Sequence, residues 1–177
     1  DVPVTVPLDL RNDPVLVPVT IRGRTFRMLL DTGSQGIVLD RASARELTLI
    51  PIGMLEVRGA TRSSGDGFAE LPSLQIGGVT LPIGVAALVD MNASTRGSSE
   101  LDGVLGYPFF AAAEVRLDFA RATMTFAKPG TLPPGWEKIA RDTDRQLPEA
   151  AVRVNRVATQ ALIDTGADCG TAARALE

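Results

Sequence analysis

The sequence of 177 residues contains no histidine, one cysteine (Cys169) and only two lysines (Lys128 and Lys138). Without an imidazole base, the Ser-His-Asp and Cys-His arrangements of nucleophilic catalysis cannot be built. Zinc sites that use histidine are excluded by its absence, and a single cysteine cannot form a thiolate cluster. A serine–lysine pair is disfavoured because lysine is so scarce. Any acid–base chemistry must therefore come from carboxylates.

Strong positive charge and long apolar runs are also missing. The net charge is −3 without a long basic run, which disfavours a nucleic-acid groove or an anionic membrane surface as partner. No run of about 18 apolar residues exists, so no membrane-spanning helix is predicted. A single cysteine forbids an internal disulfide and leaves the redox compartment open. The sequence begins at Asp1, which predicts a mature or trimmed chain without its targeting peptide.

The residues that are present favour a soluble, mostly β protein. Apolar residues make up 45% and charged residues 22% of the chain, which is ordinary for a globular domain with a core. Over positions 1–127, short apolar stretches alternate with Gly, Pro, Asn and Asp, as in an all-β domain. Residues 15–21 and 26–30 predict two strands joined by a turn at 22–24. Residues 41–49 are the best candidate for a helix.

Two further hairpins are predicted in the middle of the chain. Residues 55–61 and 67–76 predict the arms of the first, with a small polar tip at 62–66. Gly77 and Gly78 predict a tight turn into the next strand, at positions where a positive φ is needed. A polar loop is expected over 90–100.

An internal repeat joins the two halves of the chain. Leu29-Leu30-Asp31-Thr32-Gly33 aligns with Leu162-Ile163-Asp164-Thr165-Gly166 without a gap. The same constant shift aligns residues 19–24 with 152–157, so strand, turn, strand and Asp-Thr-Gly recur in order. One Asp-Thr-Gly triplet is an ordinary β-turn sequence. Two copies that each follow a hydrophobic strand and the same hairpin indicate a structural repeat.

The triplet suits acid–base catalysis by paired carboxylates. Two carboxylates held about 3 Å apart cannot both ionise at modest cost, so they share one proton. The pair then supplies an acid and a base in one site, as attack of water on an amide requires. Threonine after the aspartate can hydrogen-bond across to the partner loop, and glycine permits a close backbone approach.

Both motifs resemble those of the retropepsin-like and pepsin-like aspartic peptidases. The residues that carry the resemblance are Leu29-Leu30-Asp31-Thr32-Gly33-Ser34 and Leu162-Ile163-Asp164-Thr165-Gly166-Ala167. Val104-Leu105-Gly106 is similar to the apolar-apolar-Gly segment that threads beneath the catalytic loop in this family. The chain looks most like bacterial aspartyl proteases that have two such lobes in tandem. That resemblance implies a periplasmic or secreted protein.

The resemblance implies an all-β fold with short helices. Its parts are a retropepsin-like barrel lobe over residues 1–128, a linker over 129–147 and the beginning of a second, homologous lobe over 148–177. The linker begins with the Pro- and Gly-rich segment 129–135, which has the composition of a connecting segment.

The resemblance also implies the function and the site. The expected activity is that of an aspartic endopeptidase, in which water activated between Asp31 and Asp164 hydrolyses a bound, extended polypeptide. Thr32 and Thr165 are the implied braces, and Ser34 is expected to orient the Asp31 carboxylate. The residues assigned to the site are Asp31, Thr32, Gly33, Ser34, Asp164, Thr165 and Gly166. Neither a metal nor an organic cofactor is expected.

A flap over the bound peptide is a further implication of the resemblance, since family members close a β-hairpin over their substrate. Its match by position is the hairpin around residues 56–68. The residues assigned there to substrate binding are Gly59, Ala60, Thr61 and Phe68. Burial preferences favour a second interpretation of Phe68, as an inward-facing strand aromatic.

The second lobe departs from the family pattern, because only positions 167–177 follow Gly166 in the sequence. A complete lobe takes about 110 residues. We expect a fragment whose missing second-lobe segment is supplied elsewhere; a homodimer that pairs two Asp31, or a non-catalytic position for residues 148–177, are the alternatives. The competing functions are a non-catalytic retropepsin-fold binding or dimerisation module and a β-barrel with two fortuitous turns.

Overall fold

The computed structural model describes residues 2–11, 14–53, 55–57, 63–92, 101–134, 139–141 and 146–167. Within these residues the chain forms thirteen strands and two six-residue helices. The strands of the first part are β1 (Val4–Pro7), β2 (Leu16–Ile21), β3 (Arg24–Leu30), β4 (Ile37–Asp40), β5 (Leu55–Val57), β6 (Ser63–Ile76), β7 (Val79–Val89), β8 (Gly103–Leu105), β9 (Glu114–Asp118) and β10 (Thr123–Ala127). The helices are α1 (Arg41–Glu46) and α2 (Tyr107–Ala112). The last three strands are β11 (Ala140–Arg141), β12 (Pro148–Val154) and β13 (Val157–Leu162).

The centre of the molecule is a closed barrel. Its strands are hydrogen-bonded in the order β2-β3-β8-β4-β7-β6, and a pairing of Thr20 with Gln75 joins β6 back to β2. β5 extends this sheet beyond β6, and a separate three-stranded sheet has the order β1-β10-β9. The predicted all-β, retropepsin-like fold with short helices is therefore confirmed. No helix formed by the described residues is long and apolar enough to cross a membrane.

Alternation of apolar residues builds the barrel core. In β2 and β3 every second side chain points inward, and Val19, Met28 and Leu30 are completely buried. Burial of each such side chain contributes about 1.5–3 kcal/mol to folding. Gly77 and Gly78 form the predicted turn between β6 and β7 with φ of 55° and 84°.

Helix α2 was not expected from the sequence, and it completes the core. It begins after Gly106 with a proline in its first turn, a position where the missing N–H costs nothing. The helix carries Phe109 into the interior, where its ring lies 5.7 Å from that of Phe126 in an edge-to-face contact. Because α2 follows β8 directly, this packing also holds β8 in place.

The short strand β8 positions the site. It runs parallel to β3, with Leu30 opposite Leu105, and antiparallel to β4, with Ile37 opposite Leu105. The segment Val104-Leu105-Gly106 therefore passes between the two strands that flank Asp31-Thr32-Gly33-Ser34. This is the threading that the resemblance implies.

The second motif belongs to a small sheet of the order β11-β12-β13. The beginning of the linker that leads to this sheet is hydrogen-bonded to β9. Glu114 Oε2 accepts the backbone N–H of Gly130 at 2.8 Å and that of Leu132 at 3.4 Å. The strand, turn and strand that the repeat predicts before the second motif are present as β12 and β13, and Val152 lies opposite Thr159.

The tip of the predicted central hairpin and the end of the predicted helix need correction. The expected tip at 62–66 is wrong for residues 63–66, which belong to strand β6 and pair with β5 and β7. Residues 58–62 lie outside the described residues, as do residues 93–100 of the predicted polar loop. The predicted helix at 41–49 is present but ends at Glu46.

Candidate active site

The structure brings the two Asp-Thr-Gly motifs into direct contact. The Thr32 N–H donates to Thr165 Oγ1 at 3.1 Å, and the Thr165 N–H donates to Thr32 Oγ1 at 3.0 Å. In turn the Thr32 hydroxyl donates to the Ile163 carbonyl at 2.5 Å, and the Thr165 hydroxyl donates to the Leu30 carbonyl at 2.6 Å. Each bond of one motif has its counterpart in the other, so the two loops are related by a local two-fold axis.

Each glycine of the motifs lies beneath the carboxyl group of the opposite motif. A Cβ at Gly33 would lie 2.6 Å from both carboxyl oxygens of Asp164, and a Cβ at Gly166 would lie 2.6 and 2.7 Å from those of Asp31. No real Cβ tolerates such distances, so both positions require glycine for close approach. The Gly33 N–H also donates to Asp31 Oδ1 at 2.8 Å, and the Gly166 N–H donates to Asp164 Oδ1 at 2.9 Å.

The carboxyl groups of Asp31 and Asp164 interact directly, and this shows in the acidity of Asp31. Burial, and then the charge of Asp164, raise the pKa of Asp31 from 3.8 to about 6. The Gly33 N–H acts in the opposite direction because it stabilises the ionised form, and a hydrogen bond with the Asp164 carboxyl adds to the increase. Near pH 5 the pair therefore holds a proton that an isolated aspartate would have lost.

Backbone contacts from β8 and α2 hold the first motif from below. The Asp31 N–H donates to the Leu105 carbonyl at 3.1 Å, and the Tyr107 N–H donates to the Ser34 carbonyl at 2.9 Å. A Cβ at Gly106 would lie 2.7 Å from the Ser34 carbonyl oxygen, so glycine is required for this passage. Sequence reasoning identified the apolar-apolar-Gly segment but not these backbone partners, which leave no signature in side-chain chemistry.

Ser34 does not contact the Asp31 carboxylate in the predicted way. Its hydroxyl donates to the Gly36 carbonyl at 3.2 Å and so stabilises its own loop. The contact with the Asp31 carboxyl comes instead from the Ser34 backbone N–H, which lowers the pKa of Asp31. Ala167, the counterpart in the second motif, has no hydroxyl to form an equivalent loop contact.

The predicted flap is described only in part. Its arms β5 and β6 pair antiparallel, but Gly59, Ala60 and Thr61 lie outside the described residues. The interpretation of Phe68 as an inward-facing aromatic is wrong. Its side chain is 40% exposed on the outer face of β6, while Ala69 is buried on the inner face, and its backbone forms a two-bond bridge with Ile52.

Metal coordination finds no support in the described part of the chain. There, no group of three or more His, Cys, Asp or Glu side chains is arranged to hold a metal ion. The chemistry that the arrangement offers is that of two adjacent carboxyl groups on rigid loops.

Comparison with known proteins gives a family and a fold. A protein-family model described as aspartyl protease matches residues 17–109, more than half of the chain. A retropepsin-like aspartic protease from Rickettsia conorii superposes with a TM-score of 0.51 at 14% identity, over 71% of this chain and 90% of that one. The retroviral protease-like domain of Ddi1 from Leishmania major superposes with a TM-score of 0.47 at 14% identity, over 67% and 98%. A search of curated protein sequences found no match.

Proposed function

The chain belongs to the aspartyl protease family, and on that premise we propose that it is an aspartic endopeptidase with Asp31 and Asp164 as its catalytic pair. The single observation that carries the proposal is the reciprocal contact of the motifs, in which the carboxyl group of each aspartate lies over the glycine of the other. This contact puts two acidic groups, one with a raised pKa, on one rigid platform. Attack of water on an amide uses an acid and a base in the same site, and such a pair supplies both.

The proposed reaction uses a water molecule held between the two carboxyl groups. The ionised aspartate takes a proton from the water, whose oxygen attacks the carbonyl carbon of the peptide bond. The protonated aspartate donates its proton to the carbonyl oxygen, which gives a neutral tetrahedral intermediate. Transfer of a proton to the amide nitrogen then breaks the C–N bond and releases an amine and a carboxylic acid. All protons come from water and the aspartate pair, so no metal or organic cofactor takes part.

The proposed substrate is an extended polypeptide. The two motif loops are joined by reciprocal hydrogen bonds, and the β5–β6 hairpin, which corresponds to the flap of the family, belongs to the same sheet as the strand β3 that leads to the first motif. By resemblance alone, we also propose a periplasmic or secreted location.

The test is hydrolysis of an unfolded protein substrate near pH 5 by the chain and by two variants, Asp31→Ala and Asp164→Ala. Loss of a general acid or base costs about 10²- to 10⁴-fold in rate, so both variants should be essentially inactive. Asp118→Ala is a suitable control because Asp118 is the last residue of β9, in a different sheet from the first motif, and pairs with Arg121 of the turn that follows. Activity untouched by either change at the pair would refute the proposal.

A homodimer that pairs two Asp31 is the second candidate. It is favoured by the two-fold relation of the motif loops, because the Asp31 loop of a second copy could occupy the position of the Asp164 loop. Two-fold symmetry would make such a site geometrically reasonable. The same variants separate the two candidates, since a homodimeric site loses activity with Asp31→Ala but not with Asp164→Ala. The mass of the active species in solution provides an independent check.

A further inference from the structure

Asp102 connects three elements at the end of β8 that is farther from the catalytic pair. Its carboxylate Oδ2 accepts the backbone N–H of Arg27 in β3 at 2.6 Å, and Oδ1 accepts the Ser43 hydroxyl of α1 at 3.4 Å. Its backbone N–H donates to the Arg27 carbonyl at 3.2 Å, and its carbonyl accepts the Asp40 N–H at 2.9 Å. Both backbone groups of Arg27 that face β8 are thus bonded to one residue.

The opposite end of β8 contacts the first motif. Leu105 accepts the Asp31 N–H, and Gly106 passes under Ser34. Only the three residues of β8 separate Asp102 from Gly106, which corresponds to about 10 Å of extended chain. A shift of β8 at Asp102 would therefore also displace the Leu105 carbonyl that accepts the Asp31 N–H.

The strand has little freedom to absorb such a shift. A Cβ at Gly103 would lie 3.0 Å from the Met28 methyl group and would also meet the Val38 carbonyl, so β8 already fills the space between β3 and β4. Leu105 is completely buried. Close-packed interiors transmit a displacement instead of damping it.

From this geometry we propose that Asp102 is a positioning residue for the catalytic pair: its carboxylate fixes the register of β8, and the Leu105 carbonyl of β8 in turn fixes the position of Asp31 relative to Asp164. The inference rests on the proposed function for its effect on activity. Its effect on the Asp31 backbone does not depend on that function. The two readouts can therefore fail separately.

The experiment compares Asp102→Ala with Asp118→Ala in the full chain. Asp118 is a matched control because its carboxylate also accepts a backbone N–H, that of Arg121 at 3.0 Å, but at an exposed turn. In Asp102→Ala the Asp31 amide should exchange with solvent at least about tenfold faster by NMR, while the amides of β2 keep their wild-type rates. kcat should fall about tenfold with little change in KM, since a misplacement of about 1 Å can cost up to 10²-fold.

Two conservative variants cover the case in which Asp102→Ala does not fold. Asp102→Asn keeps an acceptor for the Arg27 N–H and should restore both exchange and kcat. Asp102→Glu keeps the charge but displaces the carboxylate by one methylene, so it should show the faster Asp31 exchange and the lower kcat.

The outcomes are separable. Wild-type exchange at Asp31 in both Asp102→Ala and Asp102→Glu would overturn the positioning role, whatever the activity. So would a uniform increase of exchange across the barrel, which is the mark of a merely structural residue. Faster exchange confined to Asp31 in a chain that hydrolyses nothing would support the positioning role and refute the proposed function.

Discussion

The hairpins β2–β3 and β12–β13 have the same backbone but different surroundings. Val19 lies opposite Phe26 in the first and Val152 opposite Thr159 in the second, which is the pairing expected when the first motif is placed on the second. Every pair of the first hairpin has its counterpart in the second under this alignment. The repeat found in the sequence is therefore a repeat of structure down to the register of single residues.

The turns of the two hairpins also match. Arg22 and Gly23 have φ of 48° and 80°, and Asn155 and Arg156 have φ of 49° and 70°. Positive φ at both central positions is the mark of a two-residue turn whose twist matches that of the strands. Because glycine at one position is replaced by arginine without a change of backbone, the hairpin geometry must be set by the register and twist of the strands.

Burial separates the two hairpins. Val19 and Met28 are completely enclosed by the barrel, whereas Val152 is only half-buried and Leu162 is 43% exposed. The first hairpin is therefore stabilised by its core, and the second has no comparable core among the described residues. The threonine bonds of the two motifs join the second hairpin to the first. The site therefore depends on a contact between a hairpin with a buried core and a hairpin that has none among the described residues.

The largest effect is expected from alanine at either motif glycine. Gly33→Ala and Gly166→Ala should each lower kcat/KM by at least about 10²-fold, because the added Cβ must displace the opposite carboxyl group and a misplacement of about 1 Å costs that much. The losses should be similar although one glycine lies in the buried lobe and the other on the exposed hairpin. Peptide hydrolysis and thermal unfolding of both variants provide the measurement. If Gly166→Ala kept its activity, the second hairpin would not be part of the active site.

The next effect concerns the coupling between the two threonines. Thr32→Val leaves the Thr165 N–H and the Ile163 carbonyl without a partner, and Thr165→Val does the same to the Thr32 N–H and the Leu30 carbonyl. Because these bonds form one network across the two motifs, a double-mutant cycle should give a coupling of about 2 kcal/mol. The measurement is urea unfolding of the four proteins of the cycle.

The chain offers a matched control for this cycle. Thr5 and Thr125 are a second pair of threonines on neighbouring segments, but their hydroxyls bond directly to each other, at 2.8 Å, on the exposed surface of the β1-β10-β9 sheet. Their coupling should be below about 0.5 kcal/mol because water replaces an exposed hydrogen bond. Equal couplings in the two cycles would mean that the motif contact adds nothing beyond an ordinary surface pair.

The pH dependence of the free energy of unfolding reports on Asp31, the aspartate of the buried lobe. Its pKa is raised to about 6 in the folded state against 3.8 for the free group, so between these values the folded chain binds more protons than the unfolded chain. The free energy of unfolding should therefore fall as the pH rises through this window. Asp31→Asn should remove that part of the slope, measured as the difference between variant and wild type in urea unfolding at pH 4.5 and pH 7.5.

Activity should follow the same titration. kcat/KM should decline as the pH rises through about 6, because the pair then loses its shared proton. A kcat/KM profile that stays flat to pH 8 would show that the shared proton is not needed. In the unfolding experiment, a pH dependence of the free energy of unfolding that is the same in Asp31→Asn as in the wild type would mean that another group titrates.

The repetitive and periodic parts of this molecule could be predicted from the sequence. Alternation located β2 and β3, and the alignment of the two Asp-Thr-Gly motifs located β12 and β13, because side-chain period and turn chemistry are local properties. Strand β1 was missed because so short a segment between prolines carries too little pattern. Helix α2 was missed because it is too short to show a helical period.

Phe68 shows where a composition rule fails against a periodicity rule. Phenylalanine is usually buried, which favoured an inward position. Ala69 and Leu71 are the buried residues of this stretch, however, so strict alternation puts Phe68 on the outer face. A bulge between Gly65 and Gly67, with φ of 113° at Gly67, separates this stretch from the hairpin arm beyond it.

For the site, the sequence could identify which side chains carry the chemistry, but not the support beneath them. The two aspartates, threonines and glycines follow from the repeat. The Leu105 carbonyl and the Tyr107 N–H do not, because every residue has such backbone groups and only tertiary structure selects them. The hydroxyl of Ser34 could be expected to bind a nearby acceptor, and which acceptor it binds depends on loop conformation.

The smallest expected effect returns to the turns of the two hairpins. Arg156 occupies with φ of 70° the position that Gly23 occupies with φ of 80°. A side chain in this region costs about 1–2 kcal/mol, and glycine costs about 0.5–1 kcal/mol in lost unfolded-state freedom, so Arg156→Gly should stabilise the second hairpin by about 0.5 kcal/mol. Slower amide exchange at Thr159 would measure the gain. Gly23→Ala should lower the free energy of unfolding, and by more than Arg156→Gly raises it. The strands of its hairpin are part of the barrel core, so strain in this turn destabilises the whole barrel. If the two substitutions changed the free energy of unfolding by equally small amounts, the difference in burial between the hairpins would not determine how turn strain affects stability.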